Sequence, residues 1–292
     1  MTHHVSANGF LKHAYGNLST TQQFGEYEKM RLGVRGTIPG ASLREKAEAL
    51  QRTGFDGIEL GTEYLNQPAE EILRQLSGTG IAITAIVGSI KLLHPDSQER
   101  QTAISLDRER FAMAKALGAS AVIEVPVFGE PRFNDLPAGM SARDYAKQLL
   151  ISSLKALAPD IERTGVTLLI EPLNRYETRF INRLEQGAEI CAAVGSPGVK
   201  LLADFFHTQI EERVIADALR KHQKYVGYIH LADSNRLEPG AGHTDFRAGF
   251  DALKSIGYDG WLTIESGLSG DPEDSLRKAR ALISALWDAA SG

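Results

Sequence analysis

The fold is decided by the stretch Leu168-Leu169-Ile170-Glu171-Pro172-Leu173-Asn174-Arg175-Tyr176-Glu177, where an apolar run typical of a strand ends in a carboxylate, a proline and a polar loop. Three later apolar runs end in the same way, at Asp204, His230 and Glu265. Each of these four residues has a side chain that can bind a metal ion. The pattern predicts four successive buried strands that each deliver one such side chain at the tip.

Short apolar runs alternate with amphipathic segments along the chain from Arg31 onward. The runs are apolar throughout, which is typical of parallel strands buried on both faces. Strands are predicted at residues 32–38, 57–60, 81–87, 121–127, 167–171, 199–204, 226–231 and 261–265. Helices are predicted at residues 42–53, 68–77, 98–117, 141–164, 183–194, 210–222, 246–256 and 272–289.

Eight such βα units predict an α/β fold of the closed (β/α)8 TIM barrel type, formed by one domain over residues 30–292. A doubly wound open sheet is the alternative, but the first strand is not followed by the glycine-rich G-x-G-x-x-G motif. Residues 1–29 are predicted to be an N-terminal extension. Its histidines, His3, His4 and His13, have a spacing that gives little support to a metal site. The longest connection, residues 128–140, is a candidate wall of the active site.

The composition is that of a globular protein, with 42% hydrophobic and 24% charged residues. A formal net charge of −5 argues against a nucleic-acid partner, which would need a basic surface. No apolar run is long enough to span a membrane, so no membrane partner is expected. The only cysteine, Cys191, cannot form an intrachain disulfide. These features permit a cytoplasmic location, which is our prediction.

The strand tips predict a metal centre, because the carboxyl ends of barrel strands converge on one mouth. Glu171, Asp204, His230 and Glu265 would then meet there. Three carboxylates and one imidazole suit a divalent cation such as Mn²⁺, Mg²⁺ or Co²⁺, whereas a cysteine-rich structural zinc site is excluded. Burying several carboxylates together is costly unless a cation neutralises them.

Three motifs at the strand tips carry a family resemblance, namely residues 171–177, 204–212 and 230–242. Over residues 31–289 the chain resembles the sugar isomerase/epimerase superfamily, whose barrel is like that of xylose isomerase. Within that superfamily it is most similar to the D-tagatose 3-epimerase group of ketose 3-epimerases. The resemblance implies an isomerase of carbohydrate metabolism with a small sugar substrate, and we expect a homo-oligomer, either a dimer or a tetramer.

The resemblance also implies roles for individual residues. Glu171, Asp204, His230 and Glu265 would bind one divalent ion, with Mn²⁺ favoured and Mg²⁺ or Co²⁺ as alternatives. The substrate hydroxyls would contact the side chains of Glu177, His207 and Arg236. The reaction would epimerise a ketose at C3 through an enediolate that the metal stabilises. The two opposed glutamates, Glu171 and Glu265, would remove and return the proton.

Two positions depart from the ketose 3-epimerase pattern and leave the sugar open. The first strand lacks the aromatic cluster of tagatose and psicose epimerases, and Glu265 is followed by Ser266-Gly267. An aldose–ketose isomerase on the same site remains an alternative. A metal-dependent hydrolase like the DNA-repair endonucleases and a lyase of 3-keto-glycosides are further alternatives on this fold. A sugar-binding protein without catalysis is disfavoured, because binding alone does not require two opposed glutamates at a metal.

Three other features have a structural interpretation. Glu59 and Glu124 lie in predicted strands, and no motif supports a catalytic role for either. The stretch of residues 239–246 has the small and polar residues of an anion site, which would suit a phosphorylated sugar. The alternative is a turn followed by a helix cap. This interpretation is preferred, because Thr244 and Asp245 suit capping.

Overall fold

Eight parallel strands close into a barrel in the order in which they occur in the chain. The structure, a computed structural model, describes residues 30–291. The predicted N-terminal extension, with His3, His4 and His13, lies outside the described residues. The strands are β1 (Arg31–Gly36), β2 (Gly57–Leu60), β3 (Ala82–Val87), β4 (Ala121–Glu124), β5 (Thr167–Ile170), β6 (Val199–Asp204), β7 (Val226–Leu231) and β8 (Trp261–Ser266). The predicted TIM barrel is therefore confirmed.

Helices connect the strands and surround the barrel. They are α1 (Leu43–Thr53), α2 (Ala69–Leu76), α3 (Ser97–Leu117), α4 (Ala142–Thr164), α5 (Leu184–Val194), α6 (Phe205–Glu211), α7 (Ile215–Lys221), α8 (Phe246–Ser255) and α9 (Pro272–Ala289), with one 3₁₀ turn at Thr62–Tyr64. In the described part of the chain, no helix is both long enough and apolar enough to cross a lipid bilayer.

Local sequence signals explain where the helices begin and end. Ser42 and Glu45 form the predicted capping box at the start of α1, and Pro272 occupies the first turn of α9. Helix α1 ends at Gly54, whose φ of 82° is in the left-handed region where glycine is favoured. Such caps turn the chain back toward the next strand within a few residues.

The barrel interior is filled by side chains, so the barrel is a packed core and not a pore. The buried cluster there consists of Ala85, Ala121, Ile123, Leu169, Leu202, Tyr228 and Trp261. The buried Tyr228 hydroxyl lies 2.7 Å from the hydroxyls of both Thr84 and Thr263, which ties β7 to β3 and β8. This layer forms a floor beneath the C-terminal ends of the strands.

The connection between β6 and β7 differs from the prediction of one helix over residues 210–222. Two short helices, α6 and α7, replace it, and α6 starts directly after β6. The early start has a local cause, because the Asp204 carboxylate caps α6 by accepting the Phe206 N–H at 2.6 Å. Consequently His207 lies in a helix. The sequence prediction, with a strand to residue 204 and a helix from residue 210, had left it in a loop.

Candidate metal centre

The four predicted ligands come together at the C-terminal mouth of the barrel. One ligand atom from each of Glu171, Asp204, His230 and Glu265 can be chosen so that all four lie within 4.8 Å of one another. Glu171 follows β5 directly, whereas the other three belong to β6, β7 and β8. Three of the side chains are buried and Glu265 is partly exposed. The spacing of these atoms is that of a group able to surround one cation.

Two atoms of this group lack any hydrogen-bond partner although they are buried, namely Glu171 Oε1 and His230 Nδ1. They lie 3.7 Å apart, and Glu265 Oε2 lies 3.3 Å from the same imidazole nitrogen. Leaving buried polar atoms unpaired is costly. A cation placed among them would satisfy these atoms, so the residues present fit a metal ion. Oxygen and imidazole donors suit Mn²⁺, Mg²⁺ or Co²⁺.

His230 is oriented by a chain of charged side chains from the first two strands. Its Nε2 lies 2.8 Å from Glu59 Oε2, and the other Glu59 oxygen accepts a hydrogen bond of 2.6 Å from Arg35. A carboxylate can only accept, so the Nε2 proton points to Glu59. A neutral ring, the form that binds a metal, would then direct its Nδ1 lone pair to the centre. This arrangement, in which a carboxylate orients a metal-binding histidine, is common at metal sites.

The two glutamates have electrostatic environments of opposite effect. Burial raises the pKa of Glu171, and the nearby Glu265 and Asp204 charges add to the increase. Burial also acts to raise the pKa of Glu265, but His230, Arg236 and Arg35 outweigh it and hold that pKa well below its ordinary value. Glu171 is therefore the carboxylate whose charge most needs the compensation that a divalent cation would provide.

Arg236 joins two of the ligands. Its Nη1 donates to Asp204 Oδ2 at 2.6 Å, and its Nη2 donates to Glu265 Oε2 at 2.5 Å. The guanidinium also lies over the Phe206 ring, 4.6 Å from the ring centroid. Its backbone has a φ of +61°, an unusual conformation for a residue other than glycine. The structure thus brings Arg236 to the centre, as predicted from the sequence.

His207 and Glu177 also border the centre. His207 Nε2 lies 3.7 Å from Asp204 Oδ2 and 3.9 Å from Glu171 Oε1. The Asn174 amide nitrogen lies 2.8 Å from His207 Nδ1 and donates to Glu177 Oε1 at 2.8 Å. The Glu177 side chain is 41% exposed, so it can meet a ligand from solvent. All seven predicted site residues are therefore neighbours, while their roles toward a substrate remain predictions.

Sequence reasoning missed three residues at this site: Arg35, Glu59 and Asn174. Asn174 belongs to the motif that follows β5 and could have been found there. Arg35 and Glu59 stand at the tips of β1 and β2, but their partners are on distant strands. Glu59 does have the structural role that was preferred, but the residue it holds is His230, a candidate metal ligand.

The two other features with a structural interpretation have side-chain contacts of their own. The Glu124 side chain packs against Gly88 and accepts hydrogen bonds from the segment after β3. In residues 239–246 the N–H groups of Gly240 and Thr244 donate to the carboxylate of Asp233, and Asp245 caps α8. Because Asp233 already occupies these donors, the stretch forms a turn and a helix cap, as preferred.

The barrel and the four side chains that converge at its mouth define a class of protein, the TIM barrels with a candidate metal centre, and comparison with known proteins identifies the family. The family described as "Xylose isomerase-like TIM barrel" matches residues 47–286. This chain belongs to that family, so the resemblance inferred from the motifs is confirmed.

Several relatives of the chain are named epimerases. The 3-dehydro-D-guloside 4-epimerase of Escherichia coli K12 is 30% identical over 247 residues, which cover 83% of this chain and 94% of that protein. The L-ribulose 3-epimerase of Mesorhizobium japonicum is 30% identical over 271 residues, or 88% of each protein. The predicted enzyme class, isomerase, is confirmed by these relatives.

A solved structure extends the similarity to three dimensions. The 3-keto-D-glucoside 4-epimerase YcjR from E. coli superimposes with a TM-score of 0.77 and 27% identity. The match covers 88% of this chain and all of that protein. Relatives thus include enzymes named for inversion at C3 and enzymes named for inversion at C4.

Proposed function

We propose that the protein is a divalent-metal-dependent epimerase that inverts C3 of a ketose, the carbon next to the keto group. The observation that carries the proposal is the pair Glu171 and Glu265, which stand in one four-ligand centre together with unpaired buried donor atoms. Sugar epimerase relatives support the reaction class. A cation bound by the four residues would supply Lewis-acid stabilisation of the negative charge that develops when the proton leaves the substrate.

The side chains of the protein supply proton transfer and orientation. Epimerisation needs one base on each face of the reacting carbon. Glu171 and Glu265 come from β5 and β8 and fill these positions, one removing the proton and the other returning one to the opposite face. Arg236 and His207 lie beside the carboxylates of the centre, so both are candidate hydrogen-bond donors to the oxygens of a substrate bound there. Glu177, at the exposed edge, is a candidate acceptor for a sugar hydroxyl.

A 4-epimerase of 3-keto sugars is a second candidate, favoured by two observations. The E. coli 4-epimerase is matched over 94% of its length. At the tip of β1 the chain carries Arg35, which borders a cavity of about 110 Å³ together with Lys46 and Tyr64. Tagatose and psicose epimerases have an aromatic cluster in the first strand. The polar groups found here suit additional sugar hydroxyls better than that cluster would. The chemistry is the same, since C4 of a 3-keto sugar is also adjacent to the carbonyl.

The proposal is tested by incubating the Mn²⁺-loaded enzyme with a panel of free ketoses, phosphorylated ketoses and 3-keto-glycosides. Carbon NMR of the products identifies the inverted carbon. Inversion at C3 of a ketose supports the first candidate, and inversion at C4 of a 3-keto sugar supports the second. An aldose product would indicate an isomerase, and release of an aglycone a lyase. Nicking of abasic DNA without sugar turnover would contradict both candidates.

A further inference from the structure

One residue outside the metal centre has an unusual backbone conformation. Ile90 has a φ of +50°, and Arg236 at +61° is the only other residue besides glycine with positive φ in the part of the chain that the structure describes. A β-branched residue is a particularly poor fit to this region, because its side chain collides with its own backbone. Such conformations concentrate at functional sites, and Arg236 already illustrates this.

Buried carboxylates hold Ile90 in place. The Ile90 N–H donates to both oxygens of Glu124, at 3.1 and 3.3 Å. The preceding residue, Ser89, donates from its N–H and hydroxyl to the Asp107 carboxylate at 2.7 and 3.0 Å. Both carboxylates, Glu124 and Asp107, are buried, and so is Ser89. Several hydrogen bonds therefore determine one backbone conformation that the chain would otherwise avoid.

Glu124 also links this loop to the metal centre. The Glu124 carbonyl accepts the N–H of Glu171 at 3.0 Å, while its side chain holds Ile90. A methyl group added at Gly88 would lie 1.8 Å from Glu124 Oε1, so the glycine allows this close packing. One residue at the end of β4 thus fixes both a candidate ligand and the segment after β3.

The Ile90 side chain itself does not serve the core. It is 37% exposed, whereas the neighbouring Ser89 and Leu92 are buried. Glycine would adopt the same backbone at a lower cost, since it has no Cβ. The segment follows β3, so it lies on the rim where the metal ligands meet. An exposed apolar side chain kept at a strained position on this rim needs an explanation other than folding.

We propose that Ile90 is a specificity-determining residue whose side chain forms an apolar wall of the substrate pocket, with Glu124 and Asp107 as the positioning residues that hold it. The inference rests on the proposed function, because the wall is taken to contact the keto sugar. It defines the shape of the bound sugar from the β3 side. The carbon-bound hydrogens of the sugar would pack there, while polar groups bind its hydroxyls.

The test compares Ile90→Ala with the wild type on the substrate that the panel identifies. We expect KM to rise about tenfold, kcat to stay within about threefold and Tm to stay within about 2 °C, because an apolar contact to substrate is lost and no core contact is. Leu73→Ala is the matched control, since Leu73 is also exposed, at 41%, but lies on α2. It should change none of the three quantities. An unchanged KM in Ile90→Ala overturns the proposal, as does a Tm lowered by about 5 °C or more.

The positioning role is tested at Glu124. Glu124→Leu removes the acceptor for the Ile90 N–H and should raise KM as Ile90→Ala does, whereas Glu124→Gln keeps an amide oxygen there and should restore it. A rise in KM of the same size in Glu124→Gln and Glu124→Leu would contradict the role of this hydrogen bond.

A binding measurement separates this inference from the proposed function. Panel sugars are added to the Mn²⁺-loaded wild type and Ile90→Ala, and the increase in Tm is compared. If a sugar raises the Tm of the wild type without being epimerised, the proposed function fails. A smaller increase in Tm in Ile90→Ala would still support the apolar wall formed by Ile90. An equal increase in both proteins overturns the wall even where turnover is found.

Discussion

The two halves of the barrel contribute differently to the same centre. The tips of β5–β8 carry the candidate ligands themselves, from Glu171 to Glu265. The tips of β1, β2 and β4 carry side chains that act on other residues: Arg35 and Glu59 orient His230, and Glu124 holds Ile90. One half of the barrel therefore carries the candidate metal ligands, and the other half carries side chains that hold residues around the centre in position. Substitutions in the two halves should therefore differ in size and in kind.

Removing the metal should have the largest effect, because it would remove the charge compensation for all ligands of the second half at once. We expect EDTA treatment to abolish measurable epimerisation and Mn²⁺ or Co²⁺ to restore it. Activity is followed by product NMR before and after metal addition. Full activity in a protein shown by elemental analysis to be metal-free would contradict the account.

Glu171→Gln and Glu265→Gln should each lower kcat by about 10²- to 10⁴-fold, the range for loss of a positioned acid or base. The fold should survive, since the barrel interior is not touched. Circular dichroism and Tm check the fold, and steady-state kinetics check the rate. Glu189→Gln is a control, because Glu189 lies on the outer helix α5, is 57% exposed and forms an ion pair with Lys147 at 2.8 Å. A near-normal rate in either ligand variant would exclude the two-base mechanism.

Glu59→Gln should have an intermediate effect. The variant keeps the shape of the side chain but disturbs the hydrogen bond that orients His230. Loss of such a partner typically lowers metal affinity or activity by about 10- to 100-fold, and we expect an effect of that size. Titration of the metal-free protein with Mn²⁺ measures the affinity directly. If Glu59→Gln binds Mn²⁺ as tightly as the wild type, the first half of the barrel does not control the geometry of the centre.

Glu124→Gln should have the smallest effect, seen in stability and not in turnover. Burial, with the charge of Asp107 beside it, raises the pKa of Glu124 well above its ordinary value. The carboxyl therefore keeps its proton to a higher pH in the folded protein than in the unfolded chain. Its stabilising contribution is complete below the ordinary pKa and is lost as the pH rises toward the raised pKa, by at most about 1.4 kcal/mol per pH unit for one proton.

Urea unfolding of the wild type and Glu124→Gln at a series of pH values measures this effect. The amide does not titrate, so its advantage in free energy of unfolding should be smallest near pH 4 and should grow toward pH 8. A difference between Glu124→Gln and the wild type that stays constant with pH would contradict the raised pKa of Glu124.

The success of the sequence predictions follows the same division of the barrel. The strands and the convergence of Glu171, Asp204, His230 and Glu265 were predictable, because buried parallel strands are continuous apolar runs and each of these residues ends such a run. His207 was expected in a loop, since the cap by Asp204 that starts α6 early gives no strong signal in the sequence. The roles of Arg35 and Glu59 were not predictable, because their partners are on strands distant in sequence. Ile90 carries no turn signal at all, so its conformation emerges only from the buried contacts.

The central claim, two glutamates acting on opposite faces of one carbon, is tested most directly by running the reaction in D₂O. Proton and carbon NMR then follow deuterium at the inverted carbon during the first turnovers. We predict that each product molecule carries one deuterium there, while the remaining substrate stays unlabelled, because the base that returns the proton is not the one that removed it. Product without deuterium at that carbon would contradict the account.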